Sequence, residues 1–160
     1  MQRLAPGCRA GGFTLVEAMI VVAILGIVLT AAMPSFVEFG RTQRIRAIAF
    51  DLVGDLLLAR SEAIKRASPM TLEPLAGDWQ QGWRVRVEGG LHAGRIVKRR
   101  DTPGEGIGLA GADALRFDGN GRLLGGGGAR LAVVDEGGAG RRCVEVDLAG
   151  MPRSRSGPCQ

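Results

Sequence analysis

The sequence predicts an α+β fold, with one long N-terminal helix packed on antiparallel β-sheet. Three observations lead there. From Ala18 to Met33 no side chain is charged, and Phe13–Val16 extend this apolar run to about 20 residues, enough to cross a hydrocarbon core as a helix. From Ile45 to Ala63, apolar residues recur every three or four positions, which describes one face of a helix. Beyond Pro69 the period falls to two, and glycine-rich turns separate short runs. With 160 residues, one small domain on a membrane-length helix is the natural count.

Taken in order, the first element is unusual for an anchor because Glu17 stands near its start. A carboxylate in lipid costs on the order of 2.5–3.5 kcal/mol, so a functional role is its default reading. An ordinary secretory signal does not fit, since Glu17 interrupts the apolar region and a cut after Ala32 or Met33 meets Pro34. The lipobox-like Leu4-Ala5-Pro6-Gly7-Cys8 has no apolar run before it. Arginines flank both ends of the run, Arg3 and Arg9 before it and Arg41, Arg44 and Arg46 after it, so charge alone does not orient it. Pro34 predicts a kink or a meltable turn inside a pattern that otherwise stays helical.

The next stretch places Ile45, Ile48, Leu52, Leu56, Ala59 and Ala63 on one face, and Ser68-Pro69 ends the helix after Ala67. Strands are predicted at Met70–Glu73, Trp83–Val87, Arg95–Lys98, Leu115–Phe117, Ala129–Val133 and Cys143–Asp147. Gly89-Gly90, Pro103-Gly104, Asp118–Gly121, Gly125–Gly128 and Gly137-Gly138 are the turns between them.

The stretch Gly12-Phe13-Thr14-Leu15-Val16-Glu17, followed by the apolar helix, resembles the class III signal of type IV pilins and type II secretion pseudopilins. That resemblance implies that a prepilin peptidase cuts between Gly12 and Phe13 and methylates the new N-terminus at Phe13. It also implies that Glu17 serves assembly. The amine created at Phe13 would lie in an apolar helical bundle, where a buried cation needs a partner, and Glu17 of a neighbouring subunit can supply it. The implied organisation is a leader at 1–12, a transmembrane helix at 13–33, its amphipathic continuation at 34–67 and a periplasmic β-rich domain at 68–160. Loss of the leader takes Arg3 and Arg9 with it, so the formal charge falls from +5 to +3.

Within the soluble part, Asp55–Arg66, Trp79-Gln80-Gln81-Gly82-Trp83 and Phe117–Gly121 are similar to the GspH/FimT family of minor pseudopilins. The family implies a pilin-like fold and a structural or initiating subunit of a type II secretion pseudopilus or a type IV pilus. Its implied partners are other pilins or pseudopilins, the inner-membrane assembly platform, the prepilin peptidase and the inner membrane. Cys8 falls in the leader, whereas Cys143 and Cys159 remain in a domain the signal places outside the cytoplasm. A disulfide between them is expected. Their spacing fits no zinc or redox motif.

No catalytic site, metal site or cofactor is predicted. His92 sits in a glycine-flanked loop without a paired carboxylate, and Trp79 and Trp83 read as core. Gly106-Ile107-Gly108-Leu109-Ala110-Gly111 matches a dinucleotide pattern in letters only, and reads as a glycine-rich loop because it follows no strand and opens no helix. Asp118–Gly121 lacks the later ligands of a calcium loop and reads as a turn. The C-terminal tail admits a second reading. Gly150-Met151-Pro152-Arg153-Ser154-Arg155 imperfectly resembles the Gly-Arg-x-Arg element through which some FimT-type members bind DNA, with Arg141 and Arg142 extending the patch. A solvated tail tied down by the disulfide is the plainer reading.

Overall fold

The computed structural model describes residues 12–101 and 103–160. The chain divides into two compact units, up to Val37 and from Glu38 onward, and helix α1 (Leu15–Arg66) carries residues of both. The first unit is helical from Leu15, and Pro34 lies within the helix. An 18-residue window of α1 has a mean hydropathy of 2.6 with none of it covered by the rest of the chain. A helix that is apolar all round and uncovered is suited to lipid or to neighbouring helices.

In the second unit, Ile45, Ile48, Ala49, Leu52, Leu56, Ala59 and Ala63 form the buried face of α1. This is the face predicted from the sequence, with Ala49 added. Opposite it lie β1 (Met70–Leu75), β2 (Asp78–Val87), β3 (Ile96–Asp101), β4 (Ile107–Gly111), β5 (Leu115–Phe117), β6 (Leu123–Leu124), β7 (Ala129–Asp135), β8 (Arg141–Val146) and β9 (Pro152–Ser156). Met70, Leu72, Trp83, Val85, Val87, Leu115, Phe117, Leu131, Val133, Val144 and Val146 fill one core with that face. Trp79 and Trp83 are both buried, as expected of core residues.

The strands form two antiparallel sheets, one ordered β3-β2-β1-β5-β6 and one ordered β4-β7-β8-β9. Two sequence expectations need correction. The glycine-rich segment around Gly106–Gly111 contains strand β4, because Ile107 and Leu109 alternate inward and pair with β7. The C-terminal segment forms strand β9. It has no inward-facing apolar run to announce it, and only backbone pairing with β8 makes it a strand. Gly82 in β2 shows why glycine stands there. Its φ is +100°, and a Cβ would overlap the carbonyl oxygen of Arg100 in β3.

The helix ends in a Schellman motif. Ser68 N–H donates to the Ala63 carbonyl at 3.1 Å and Ala67 N–H to the Ile64 carbonyl at 3.2 Å. The position that turns left-handed is Ala67, at φ 47°, where a Cβ is penalised. Ala67→Gly is therefore expected to raise stability by about 0.5–1 kcal/mol, the relieved strain exceeding glycine's larger unfolded-state entropy. Urea unfolding measures it, and an unchanged or lower midpoint would contradict the account.

One buried polar cluster crosses the core. Asp55 is 4% exposed. Its Oδ2 accepts the Trp83 indole N–H at 2.9 Å and the Arg100 Nε–H at 2.6 Å. Arg100 also reaches Asp51 at 3.0 Å. A buried carboxylate without such partners would cost several kcal/mol, so the cluster fixes how β2 and β3 sit on the helix.

Candidate functional site

The N-terminal motif begins α1 with a helix cap. Thr14 Oγ1 accepts the Glu17 N–H at 3.2 Å, which satisfies one of the free donors of the first turn. Thr-x-x-Glu at a helix start is the capping-box spelling, and Glu17 lies in the first turn, where a negative charge favours the helix dipole. Phe13 and Glu17 are exposed, and Glu17 forms no ion pair with any described residue. The structure thus leaves a carboxylate at the head of an uncovered apolar helix, available to a group from outside the chain. Most of the expected leader, Cys8 included, lies outside the described residues.

The C-terminal arginines are distributed by the pleat of β8 and β9. Arg153 lies opposite Glu145, and Arg155 opposite Cys143. Arg130 of β7 also faces Glu145. Alternation along β8 puts Arg141 on this outer face and Arg142 on the inner one. The expectation that Arg141 and Arg142 join a single patch is therefore corrected. Arg142 turns toward the helix, donating from Nε to Ser154 Oγ at 3.1 Å, with its guanidinium carbon 5.8 Å from the centre of the Phe50 ring. On the outer face Glu145 takes Arg155 at 2.6 Å and Arg130 at 3.5 Å. Such exposed pairs contribute about 0–1 kcal/mol, but they partly neutralise the patch. The expected disulfide is present between Cys143 and Cys159, tying the end of the chain to β8 across a separation of 16 residues.

The outer face of the other sheet is an alternating ladder of charge. Arg84 and Arg86 of β2 both grip Glu73 of β1, at 2.7 and 3.1 Å, and Arg116 reaches Glu88 at 3.1 Å. The hydrogen bonds from Arg86 and then Arg84 hold the Glu73 carboxyl below its ordinary value of 4.5. A carboxylate with a depressed folded pKa stabilises the fold above its unfolded value, and that stability is lost as pH falls through the folded value. Glu73→Gln is accordingly expected to be less stable than the wild type at neutral pH. The gap should close as pH drops below about 4.5. Chemical unfolding at several pH values checks this, and a gap that stays constant across that range would refute it.

Elsewhere the candidate sites reduce to turns. Asp118 Oδ1 accepts the N–H groups of Asn120 and Arg122 at 2.9 and 2.8 Å, so its carboxylate is committed to the turn. His92 lies in an exposed one-turn 3₁₀ segment, Gly90–His92. Sequence reading missed the Asp55–Trp83–Arg100 cluster. The one available signal was an acid, Asp55, next to the apolar face at Leu52 and Leu56.

Comparison with known proteins bears on both units. The family model described as type II transport protein GspH matches residues 49–150. The model for the prokaryotic N-terminal methylation motif matches residues 8–33. Among solved structures, the chain is similar to the type IV minor pilin FimU of Pseudomonas aeruginosa. The TM-score is 0.61 at 22% identity, covering 75% of this chain and 92% of that one. The minor pseudopilin EpsH from the type 2 secretion system of Vibrio cholerae gives 0.58 at 15% identity, covering 71% of this chain and 97% of that one. At these identities the likeness is one of fold. No curated protein matches the chain.

Proposed function

Because the chain belongs to the GspH family of minor pseudopilins and carries the N-terminal methylation motif, we propose that it is a structural or initiating subunit of a type II secretion pseudopilus or a type IV pilus. In this reading a prepilin peptidase removes residues 1–12, cutting between Gly12 and Phe13, and Phe13 is methylated. Residues 13–33 span the inner membrane, residues 34–67 continue the helix, and residues 68–160 form a periplasmic domain. The other partners are pilins or pseudopilins and the inner-membrane assembly platform.

The observation that carries the reading is Glu17. It sits in the first turn of an uncovered apolar helix and has no ion-pair partner among the described residues. The Phe13 amine of a neighbouring subunit has the complementary charge and the same position on its own helix. Mass spectrometry of the filament-associated protein tests the processing, with a chain beginning at methylated Phe13 expected and an intact N-terminus at Met1 sinking it. Assembly is tested separately. Glu17→Ala should be processed yet excluded from filaments, and incorporation at the wild-type level would remove Glu17 from the mechanism.

A second reading, DNA capture, is favoured by one observation, the shared outer face of Arg130, Arg141, Arg153 and Arg155. Glu145 in their midst weakens it. Two or three phosphate contacts would give a log–log salt slope of roughly −2 to −3. Titration of labelled duplex DNA at two salt concentrations is the check. Binding that is absent, or unchanged after Arg153 and Arg155 are both replaced by alanine, would dismiss it.

A further inference from the structure

We infer that the small cavity where Arg46 of the helix meets Arg141 and Arg142 of β8 is a binding site for a phosphate-class oxyanion. The cavity measures about 170 Å³ and lies wholly within the second unit. Arg46, Arg141 and Arg142 line it together with the hydroxyl-bearing Thr42 and Ser156, and buried Ile45 forms an apolar wall. No acidic side chain is among its lining residues.

Several arginines of the sheets are paired with acids: Arg84 and Arg86 with Glu73, Arg100 with Asp51 and Asp55, Arg116 with Glu88, Arg155 with Glu145. Arg46, Arg141 and Arg142 make no ion pair with any described residue. Asp135, in the turn before Gly140, is not among the lining residues, and its Oδ2 accepts the Ala139 N–H at 2.9 Å. Arg46 and the inward-facing Arg142 carry like charges beside one cavity, and an apolar wall strengthens their repulsion by lowering the local dielectric. An anion in the cavity removes the cost.

Arg142 is set in place for the task. Nε and Nη1 donate to Ser154 and Ser156, at 3.1 and 3.3 Å, while the guanidinium lies over Phe50. Two of its five N–H groups are thus engaged, and the planar fork keeps others for an oxyanion. A carboxylate has two oxygens and satisfies one or two guanidiniums. A tetrahedral phosphate, with more acceptor oxygens, suits two guanidiniums together with the neighbouring hydroxyl-bearing residues Thr42 and Ser156. The volume corresponds to about five or six waters at ~30 Å³ each, which admits a single phosphate group rather than a length of polymer. Such a group can be a soluble phosphate or an anionic lipid headgroup. The lipid source rests on the membrane reading above and accords with Arg41, Arg44 and Arg46 following the apolar run in sequence.

The test is calorimetric titration of the full-length protein in neutral detergent micelles with inorganic phosphate. Short-chain phosphatidylglycerol is titrated separately, with short-chain phosphatidylcholine as the uncharged reference. Saturable binding of at least one phosphate compound is expected. Arg46→Gln, an exposed change, should weaken that binding at least tenfold. Arg142→Lys, which keeps the charge and loses the fork, should also weaken it. Arg153→Ala with Arg155→Ala should leave it unchanged, which separates this site from the DNA reading. Binding of inorganic phosphate, with phosphatidylglycerol no better than phosphatidylcholine, supports the site with a soluble ligand. Arg46-dependent binding of phosphatidylglycerol alone supports it with a lipid ligand. If neither compound binds in a way that depends on Arg46, the site is overturned.

Discussion

Asp55→Ala is expected to destabilise the second unit by about 3–5 kcal/mol, the cost of breaking a buried charge pair from one side. The substitution strips the Trp83 indole N–H and the Arg100 guanidinium of their shared acceptor in one step. It also opens a hole beside Leu52 and Leu56, which are fully buried. In a unit of this size, the loss corresponds to roughly 10–20 °C in Tm. Asp51→Ala provides the contrast. It removes the other carboxylate on Arg100, but that partner is 46% exposed, so its loss should cost about 1 kcal/mol or less. Thermal unfolding followed by Trp fluorescence distinguishes the two. Equal effects from both substitutions would mean that burial is not what makes the cluster matter.

Removing the disulfide is the second large effect. Replacing Cys143 and Cys159 together by alanine should cost about 3 kcal/mol, from the loop of 16 residues that the bond closes. The loss should be felt locally first. Gly157 N–H donates to the Arg141 carbonyl at 3.0 Å at the end of β9, an edge strand held on one side only. Hydrogen exchange at Gly157 should therefore rise more than exchange in β1, the centre of the other sheet. Adding a reductant to the wild type should reproduce the change, and the double variant should not respond to it. A variant as stable as the wild type, with Gly157 still protected, would show that backbone pairing alone holds the strand.

The helix and its buried face were legible because they rest on local periodicity. Ile45, Leu52, Leu56, Ala59 and Ala63 repeat at helical spacing, and each is buried. Most strands were legible for the same reason, since β1, β2, β5, β7 and β8 carry alternating apolar residues. The N-terminal motif was legible because residues 12–17 hold it entire. Strands β4 and β9 were not. In the first, the Ile107–Leu109 alternation is only two residues long and is set among glycines, and in the second arginine and serine leave no apolar alternation, so each owes its form to a neighbouring strand. The placement of Arg142 failed by a small margin. The strand starts at Arg141, two residues earlier than the apolar pattern suggests, and in a strand adjacent residues face opposite ways.

The sequence by itself determined the apolar run with Glu17 at its head, the amphipathic helix after it, the β character of the remainder and the two cysteines free to pair. Each depends on residues close in the chain or on a simple count. Only the tertiary structure decided how the strands divide between two sheets, that Asp55 meets Trp83 and Arg100, and that Arg46 and Arg142 border one cavity. Those contacts join residues far apart in sequence, 28 and 45 positions for the Asp55 pairs. They are selected by which packing leaves no charge buried alone, a condition that no local pattern encodes.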